Sequence, residues 1–542
     1  MDWRFIKSIF DLRELIFPLS FRKLFFFLFY ALLIGAVVAV ESSVGFFDYL
    51  IMAVKSNLIP LMAILYGFEP LLTLTSMAFT RYPPKEPEAP VKAADQIDVD
   101  IEAEQDPRTA IKNHNKGLAV IIVAHNSEAE IEATLRAYLK IVEPEQIFVI
   151  DNGNSELPAD NTLSIVKSVS ESIHYHWHNR GNKTIAQFVG LLLAFEYSHV
   201  LMSDDDVRPP PCFRFTRELL SDSRFKAIFY PIMAISNEEK PSKLVQWQSL
   251  EYKQADHYNM FEASSHGALY PHGAIALWDR LSLIKALLRH STRFIAEDIE
   301  TGIRSARLGY RHQFDSQYIF PTLVPKTILG PRPNLYAQRV RGWSMGIQTL
   351  NLELLWNFLT EWNLHPADVS VLKVSQLYML YNNWVDWTRL AVMIISASDA
   401  TYWGKLGAII AGQQLTTMLW HYVKLRNRPD LQHDFFTLTS MFFYRLLQIG
   451  FTNFGLIRLL AIYLPNLQPA KTIEEQLKDG EFTNLQVELP EFLPVKKETR
   501  SENKPGFKES IYSFFCCGKS REIKPAPAIT VELVEEPVKI EL

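Results

Sequence analysis

The chain has 542 residues, 48% of them hydrophobic and 21% charged, with 55 Lys and Arg against 60 Asp and Glu and only 3 Cys. At about 150 residues per structural unit this length holds roughly three units with a large core, and the composition excludes a collagen-like or wholly disordered chain. Three cysteines, two of them adjacent at Cys516 and Cys517, cannot staple an extracellular framework or supply a zinc-finger ligand set, so the bulk of the protein is expected in a reducing compartment. With a net charge of −5 and no basic domain, nucleic acid is not an expected partner.

The run from Leu24 to Val40, LFFFLFYALLIGAVVAV, carries no charge, and a second apolar run, Ser56 to Thr80, contains only Glu69. Each approaches the roughly 20 residues that cross a hydrocarbon layer, and two such runs in succession argue for a membrane hairpin over a cleaved signal peptide. Arg4, Lys7, Arg13, Arg22 and Lys23 precede the first run, and Arg81 and Lys85 follow the second, which puts both outer flanks on the cytoplasmic side. Residues 1–81 are therefore expected to be a cytoplasmic segment and a transmembrane hairpin. Residues 82–116, Pro-rich and then acidic (PPKEPEAP, DVDIEAEQD), have the composition of a solvated linker.

Next come LAVIIVA (Leu118–Ala124), a helical stretch from about Glu128 to Ile141, QIFVID (Gln146–Asp151), IHYHW (Ile173–Trp177), a helix from about Lys183 to Tyr197, and HVLMSDDD (His199–Asp206). Strands alternating with helices predict a largely parallel sheet, in which ligands bind beyond the carboxyl ends of the strands. Asp151 and the triplet Asp204–Asp206 lie at such ends. Apolar strands that end in carboxylates need a cationic or hydrogen-bonding partner. A hard divalent ion, Mg²⁺ or Mn²⁺, typically takes one or two carboxylates plus substrate phosphates. Asp204 and Asp206 are the candidate ligands, although a solvated turn explains a DxD taken alone. In FIAEDIETGIRSARLGYR (Phe294–Arg311), Glu297 and Asp298 open a helix, where acids also serve as caps. AQRVRGW (Ala337–Trp343) sets two Arg and a Trp just before a membrane-associated region, and alone it reads equally as a positive-inside anchor.

Residues 344–372 include a stretch, Ser344 to Leu364, that could lie flat on a membrane surface. Residues 373–464 form a C-terminal transmembrane region with spans expected at about Val374–Ser396 and Leu406–Val423. Lys424, Arg426 and Arg428 then return the chain to the cytoplasm. Phe435 to Leu464 is too long for one simple span and short for two, so a single tilted helix and a broken pair both stay open. Asp386 and Arg389 stand at i, i+3 spacing and could pair on one helical face; an interfacial placement is the alternative. Residues 465–542 read as a disordered tail, with Cys516 and Cys517 as possible acylation sites.

The ordered set Asp151, Asp204-x-Asp206, Glu297-Asp298 and Gln338-Arg339-x-Arg341-x-Trp343 resembles the D, DxD, ED, Q(Q/R)xRW pattern of inverting family 2 glycosyltransferases. The flanking apolar segments make the chain look like the membrane polysaccharide synthases of that family: hyaluronan, chitin and cellulose synthases. The resemblance covers about residues 20–464. It implies an α/β GT-A (Rossmann-like) cytoplasmic catalytic domain, residues 117–343, embedded between α-helical transmembrane segments. It further implies inverting, Mg²⁺- or Mn²⁺-dependent transfer from a UDP-sugar to a growing polysaccharide that is exported through the protein's own helices. The alternative is a membrane-lipid acceptor, as in ceramide glucosyltransferases.

Position by position, the resemblance assigns Asp151 to the uracil, Lys183 to the nucleotide, and Asp204 and Asp206 to the sugar diphosphate and its metal. The loop of PHGAIALW (Pro271–Trp278), with His272 and Gly273, goes to the acceptor side, and the Glu297-Asp298 pair goes to catalysis with Asp298 as general base. Gln338, Arg339, Arg341 and Trp343 go to the leaving diphosphate and the acceptor sugar. The chain departs from the pattern at His125, where Tyr is frequent, at Ser127, where an acid is common, and at Gly342, which adds one residue before Trp343.

Overall fold

The computed structural model describes residues 21–83, 107–292, 296–362, 366–464 and 471–481. All belong to one compact unit, Met1–Pro490; a second unit, Glu491–Leu542, lies outside the described residues. Arg4, Lys7, Arg13, most of the acidic linker, and Cys516 and Cys517 also fall outside them. The last part of the linker, Pro107–His114, is helical.

A seven-stranded sheet is the centre of the molecule, in the order β3-β2-β1-β4-β7-β5-β8. Its strands are β1 Leu118–Ala124, β2 Ile147–Asn152, β3 His174–His178, β4 His199–Asp204, β5 Phe225–Phe229, β7 Ile275–Asp279 and β8 Arg311–Phe314. β1 is buried at every residue, because helices cover both faces of the sheet. Such strands read as unbroken apolar runs. β6 Ile232–Ile235 and β9 Phe320–Leu323 form a separate parallel pair.

The sheet is largely parallel, as expected, with one strand reversed. β1, β2, β3 and β4 are parallel, but β7 runs antiparallel to both β4 and β5. The reversal places the start of β7 beside the end of β4, with Ile275 opposite Ser203 and the Asp204 amide donating to the Ala274 carbonyl at 3.0 Å. The loop before β7 is thereby brought to the edge where the acids of β4 emerge.

The helix Lys243–Ala263 is buried on most of its circumference, since it lies between the sheet and the long apolar helices. No single apolar stripe is needed in that position. Among the described residues two helical stretches, Leu24–Ser43 and Leu58–Ser76, are long and apolar enough to cross a membrane. The later helices Pro366–Ile395, Ala400–Lys424 and Phe435–Arg458 carry more polar residues. The last of them passes directly into a π-helical turn, Leu459–Tyr463, so the 435–464 stretch is one continuous helix and not a broken pair.

Asp386 and Arg389 do pair, at 2.9 Å. Arg389 also donates to the Leu65 carbonyl at 2.9 and 2.6 Å, and Thr452 donates to the second Asp386 oxygen at 3.2 Å, so the pair ties three helices together. Beyond the last long helix, the helix Ile473–Lys478 docks on the catalytic side of the molecule. Ser291 bridges Thr472, the Ile473 amide donates to the His290 carbonyl at 3.2 Å, and Arg180 donates to the Glu481 carbonyl at 2.7 Å.

Candidate active site

β4 delivers three consecutive acids with different surroundings. Asp205 turns back toward the β1 loop, where it accepts from the Ser127 hydroxyl and Thr134 binds its carbonyl at 2.7 Å. The departure at Ser127 thus has a local use: a hydroxyl donates to Asp205 where a second acid would repel it. Asn126, in the same turn, takes the left-handed conformation (φ 54°) that Asn tolerates better than most residues. Asp204 accepts from the Lys183 ammonium at 2.6 Å, and Asp206 accepts from the Thr322 hydroxyl of β9 at 3.0 Å.

Lys183 begins the helix Lys183–Leu193, capped by Asn182, and it gathers the site. Its ammonium also meets Glu297 at 2.8 Å and the Gly273 carbonyl at 3.1 Å. The Gly273 amide in turn donates to Asp298 at 3.1 Å. Residues from four separate stretches of sequence, Lys183, Asp204, His272-Gly273 and Glu297-Asp298, therefore meet in one cluster. A Cβ on Gly273 would lie 3.1 Å from the Asp298 carboxylate and 3.3 Å from that of Glu297, so the loop can lie this close to both acids only with glycine there.

The two members of the Glu297-Asp298 pair differ electrostatically. Burial alone would push the Glu297 carboxyl up, but the Lys183 ammonium outweighs it and holds Glu297 below the usual range. Asp298 is raised to about 6, first by burial and then by the negative charge of Glu297. Among the described residues no cation lies within salt-bridge distance of Asp298, and its hydrogen bonds come from backbone amides, those of Gly273 and Ile299. Asp298 is thus the acid of the pair that can accept a proton near neutral pH.

Asp204 is also raised to about 6, by burial that Lys183 only partly offsets. Asp206 is driven up by burial and by Asp204 and Asp205 beside it. The second oxygen of each takes no hydrogen bond among the described residues. This donor set, oxygen only and short of positive charge, fits a hard divalent cation. No three His, Cys, Asp or Glu side chains among the described residues are gathered to hold a metal unaided, so the set suits an ion that shares its coordination with a bound substrate.

Asp151, at the end of β2, is buried. One carboxylate oxygen accepts from Tyr175 at 2.7 Å, while the other is buried without a partner among the described residues, a position that a ligand donor would satisfy.

The Ala337–Ser344 segment is a π-helix. Its wider turn accommodates the residue that Gly342 adds, and the Arg339 guanidinium lies 3.7 Å from the centre of the Trp343 ring. Arg339 is nevertheless turned into the protein. It makes a two-pronged ion pair with Glu251 at 3.1 and 2.7 Å and donates to Tyr444 at 3.3 Å. Its planar donors grip that carboxylate side by side. Trp343 is 37% exposed, with one ring face covered by that guanidinium. Gln338 and Arg341 are half-buried, and the Gln338 side-chain oxygen has no partner among the described residues.

Residues 114–346, which include every group in this cluster, match the family described as "Glycosyltransferase like family 2". That segment is similar to family 2 glycosyltransferases. Relatives include poly-beta-1,6-N-acetyl-D-glucosamine synthases of Staphylococcus epidermidis, 24% identical over 295 residues, a match that covers 53% of this chain and 68% of the relative. Solved structures with some likeness include a Pyrobaculum calidifontis mannosyltransferase in complex with GDP-Man and Mn²⁺, at 15% identity and a TM-score of 0.47 over 75% of this chain and 98% of that one. Another is S. aureus TarS 1-349 in complex with UDP-GlcNAc, at 14% identity and a TM-score of 0.31 over 63% of this chain and 90% of that one.

Within this matched segment several supporting residues escaped the sequence reading. Glu251 and Asp256 sit in EYKQADHY (Glu251–Tyr258), which looks like a solvated helix face, yet Asp256 is fully buried. The length of the helix, 21 residues with its apolar residues spread around the circumference, was the one available signal that something other than water covers it. Tyr175 and Thr322 carry no sequence signal of their own, because each is defined by strand register.

Proposed function

We propose that the protein transfers a sugar, with inversion, from a UDP-sugar to a growing polysaccharide at the cytoplasmic face of a membrane, and that its helices conduct the product outward. The observation that carries this reading is the meeting of Lys183, Asp204, Gly273, Glu297 and Asp298 at the sheet edge where β4 ends and the β7 loop begins. The relatives named for a polymer of N-acetylglucosamine support a polysaccharide product, and they make UDP-N-acetylglucosamine the first donor to try.

In this reading the acceptor hydroxyl gives its proton to Asp298 as its oxygen bonds to the sugar C1. The bond from C1 to the diphosphate breaks, and its electron pair leaves with UDP. Asp298 suits the role because burial and Glu297 raise its proton affinity, and the Gly273 amide fixes its orientation. Lys183 keeps Glu297 and Asp204 in place as a charged framework. Asp204 and Asp206 would hold Mg²⁺ or Mn²⁺, which supplies positive charge to the departing diphosphate. Asp151, with its unmet oxygen, is proposed to take a hydrogen bond from the nucleotide base. Arg341 and Gln338 are proposed to face the diphosphate, and the open side of Trp343 to pack against the acceptor sugar. Arg339 acts by locking the segment that presents them.

The test is to incubate purified protein with UDP-N-acetylglucosamine, UDP-glucose and UDP-glucuronate, with Mg²⁺ or Mn²⁺ and with chelator, and to size the product and analyse its linkages. A metal-dependent long polymer is the expected result. A single glycolipid would move the acceptor to a membrane lipid, and no UDP release from any donor would overturn the proposal.

A further inference from the structure

We infer that Asp256 is a positioning residue for the base: through His272 it holds the loop that grips both Asp298 and Lys183. The inference rests on the reading of Asp298 as the base. Asp256 is 0% exposed and projects from the helix Lys243–Ala263, outside the cluster of acids already described. One of its oxygens accepts from His272 Nε2 at 2.6 Å. Lys253, one turn earlier on the same helix, sends its ammonium elsewhere, to the Leu431 carbonyl at 2.7 Å and His433 Nε2 at 2.9 Å.

A carboxylate buried this deeply is costly unless its hydrogen bond serves a purpose. Here the bond fixes the imidazole orientation and tautomer, with the Nε2 proton directed at Asp256, as a carboxylate does for a catalytic or metal-bound histidine. The His272 carbonyl closes the turn by accepting from Ile275 at 3.3 Å. Gly273, held between this turn and the imidazole, has both its backbone groups engaged in the site: its amide on Asp298 at 3.1 Å and its carbonyl on Lys183 at 3.1 Å. The loop is thus pinned by β7 at one end and by the Asp256–His272 bond at the other. Loss of that bond frees the peptide that aims the base, and misplacement of a catalytic group by about 1 Å can cost about 10²-fold in rate.

The experiment is a double-mutant cycle on UDP release from UDP-N-acetylglucosamine, with UDP binding measured on every variant. Asp256→Asn is expected to lower turnover by about tenfold or more and to leave UDP affinity within about twofold. In an Asp298→Asn background the same change should lower the residual rate by less than about twofold, because there is no longer a base to aim. His272→Leu cuts the same link from its partly exposed end by removing the donor and should behave likewise, so it decides the matter if Asp256→Asn does not fold. Equal fractional losses in both backgrounds, or wild-type turnover in Asp256→Asn, would overturn the inference. Wild-type turnover in Asp298→Asn would instead remove the base assignment, and absence of UDP release by the wild type would remove the parent reading.

Discussion

Glu297 and Asp298 are neighbours in sequence, yet one Lys separates their chemistry. Lys183 neutralises Glu297 and leaves Asp298 with only backbone donors, so the proton-accepting role falls to Asp298. Asp298→Asn should reduce turnover by about 10² or more while UDP binding, followed by calorimetry, stays nearly unchanged. The pH dependence has a definite sign. A carboxyl raised to about 6 keeps its proton at pH 5 and cannot accept another, so turnover should fall as pH drops through about 6 and level off above it. Asp204 is raised to about 6 too, so the share of the limb due to Asp298 is the part lost in Asp298→Asn at saturating metal ion. The two acids stood out in the sequence only through the resemblance to the family pattern, because acids that open a helix serve equally as caps. The choice between the two acids was not legible from the residues, since it depends on where a lysine more than a hundred positions earlier places its ammonium.

At the level of elements, the reversed strand β7 and the π-helical segment do the assembling. Periodicity showed that strands and helices alternate, but strand direction follows from tertiary packing, and no local signal marks β7 as antiparallel. The residue added by Gly342 was visible in the sequence; its accommodation by a wider helical turn became clear only from the backbone. That segment sits directly against the helix Phe435–Arg458, where a Cβ on Gly455 would come within 2.7 Å of the Ser344 Cβ. Gly455→Ala should therefore destabilise the protein by about 1–3 kcal/mol, the usual cost of overpacking, read as a lower melting temperature in detergent. Ser344→Gly in the same chain should recover most of it. Removal of the other anchor should cost more. Glu251→Ala strands a buried guanidinium, at a cost of about 3–5 kcal/mol, and should impair both folding yield and turnover.

Over the whole molecule, the catalytic domain and the long helices share charged contacts. Lys243 meets Asp434 at 2.7 Å, and Arg445 donates to Gln254 at 2.9 Å. The apolar surface of Leu24–Ser43 faces outward along its whole length, an area too large for an ordinary water-facing helix. The protein is expected to pellet with membranes, to resist alkaline carbonate and to be released by detergent; recovery in the carbonate supernatant would contradict this.

The short helix Ile473–Lys478 adds a rule of parity. It hydrogen-bonds to the loop just before Glu297, so it must share a compartment with the nucleotide site. Every passage of the chain through a bilayer between residues 344 and 471 must consequently be undone by another. Three long helices occupy that interval among the described residues, an odd number, so under the proposed membrane reading at least one of them would turn back within the lipid, rest along its surface or stay out of it.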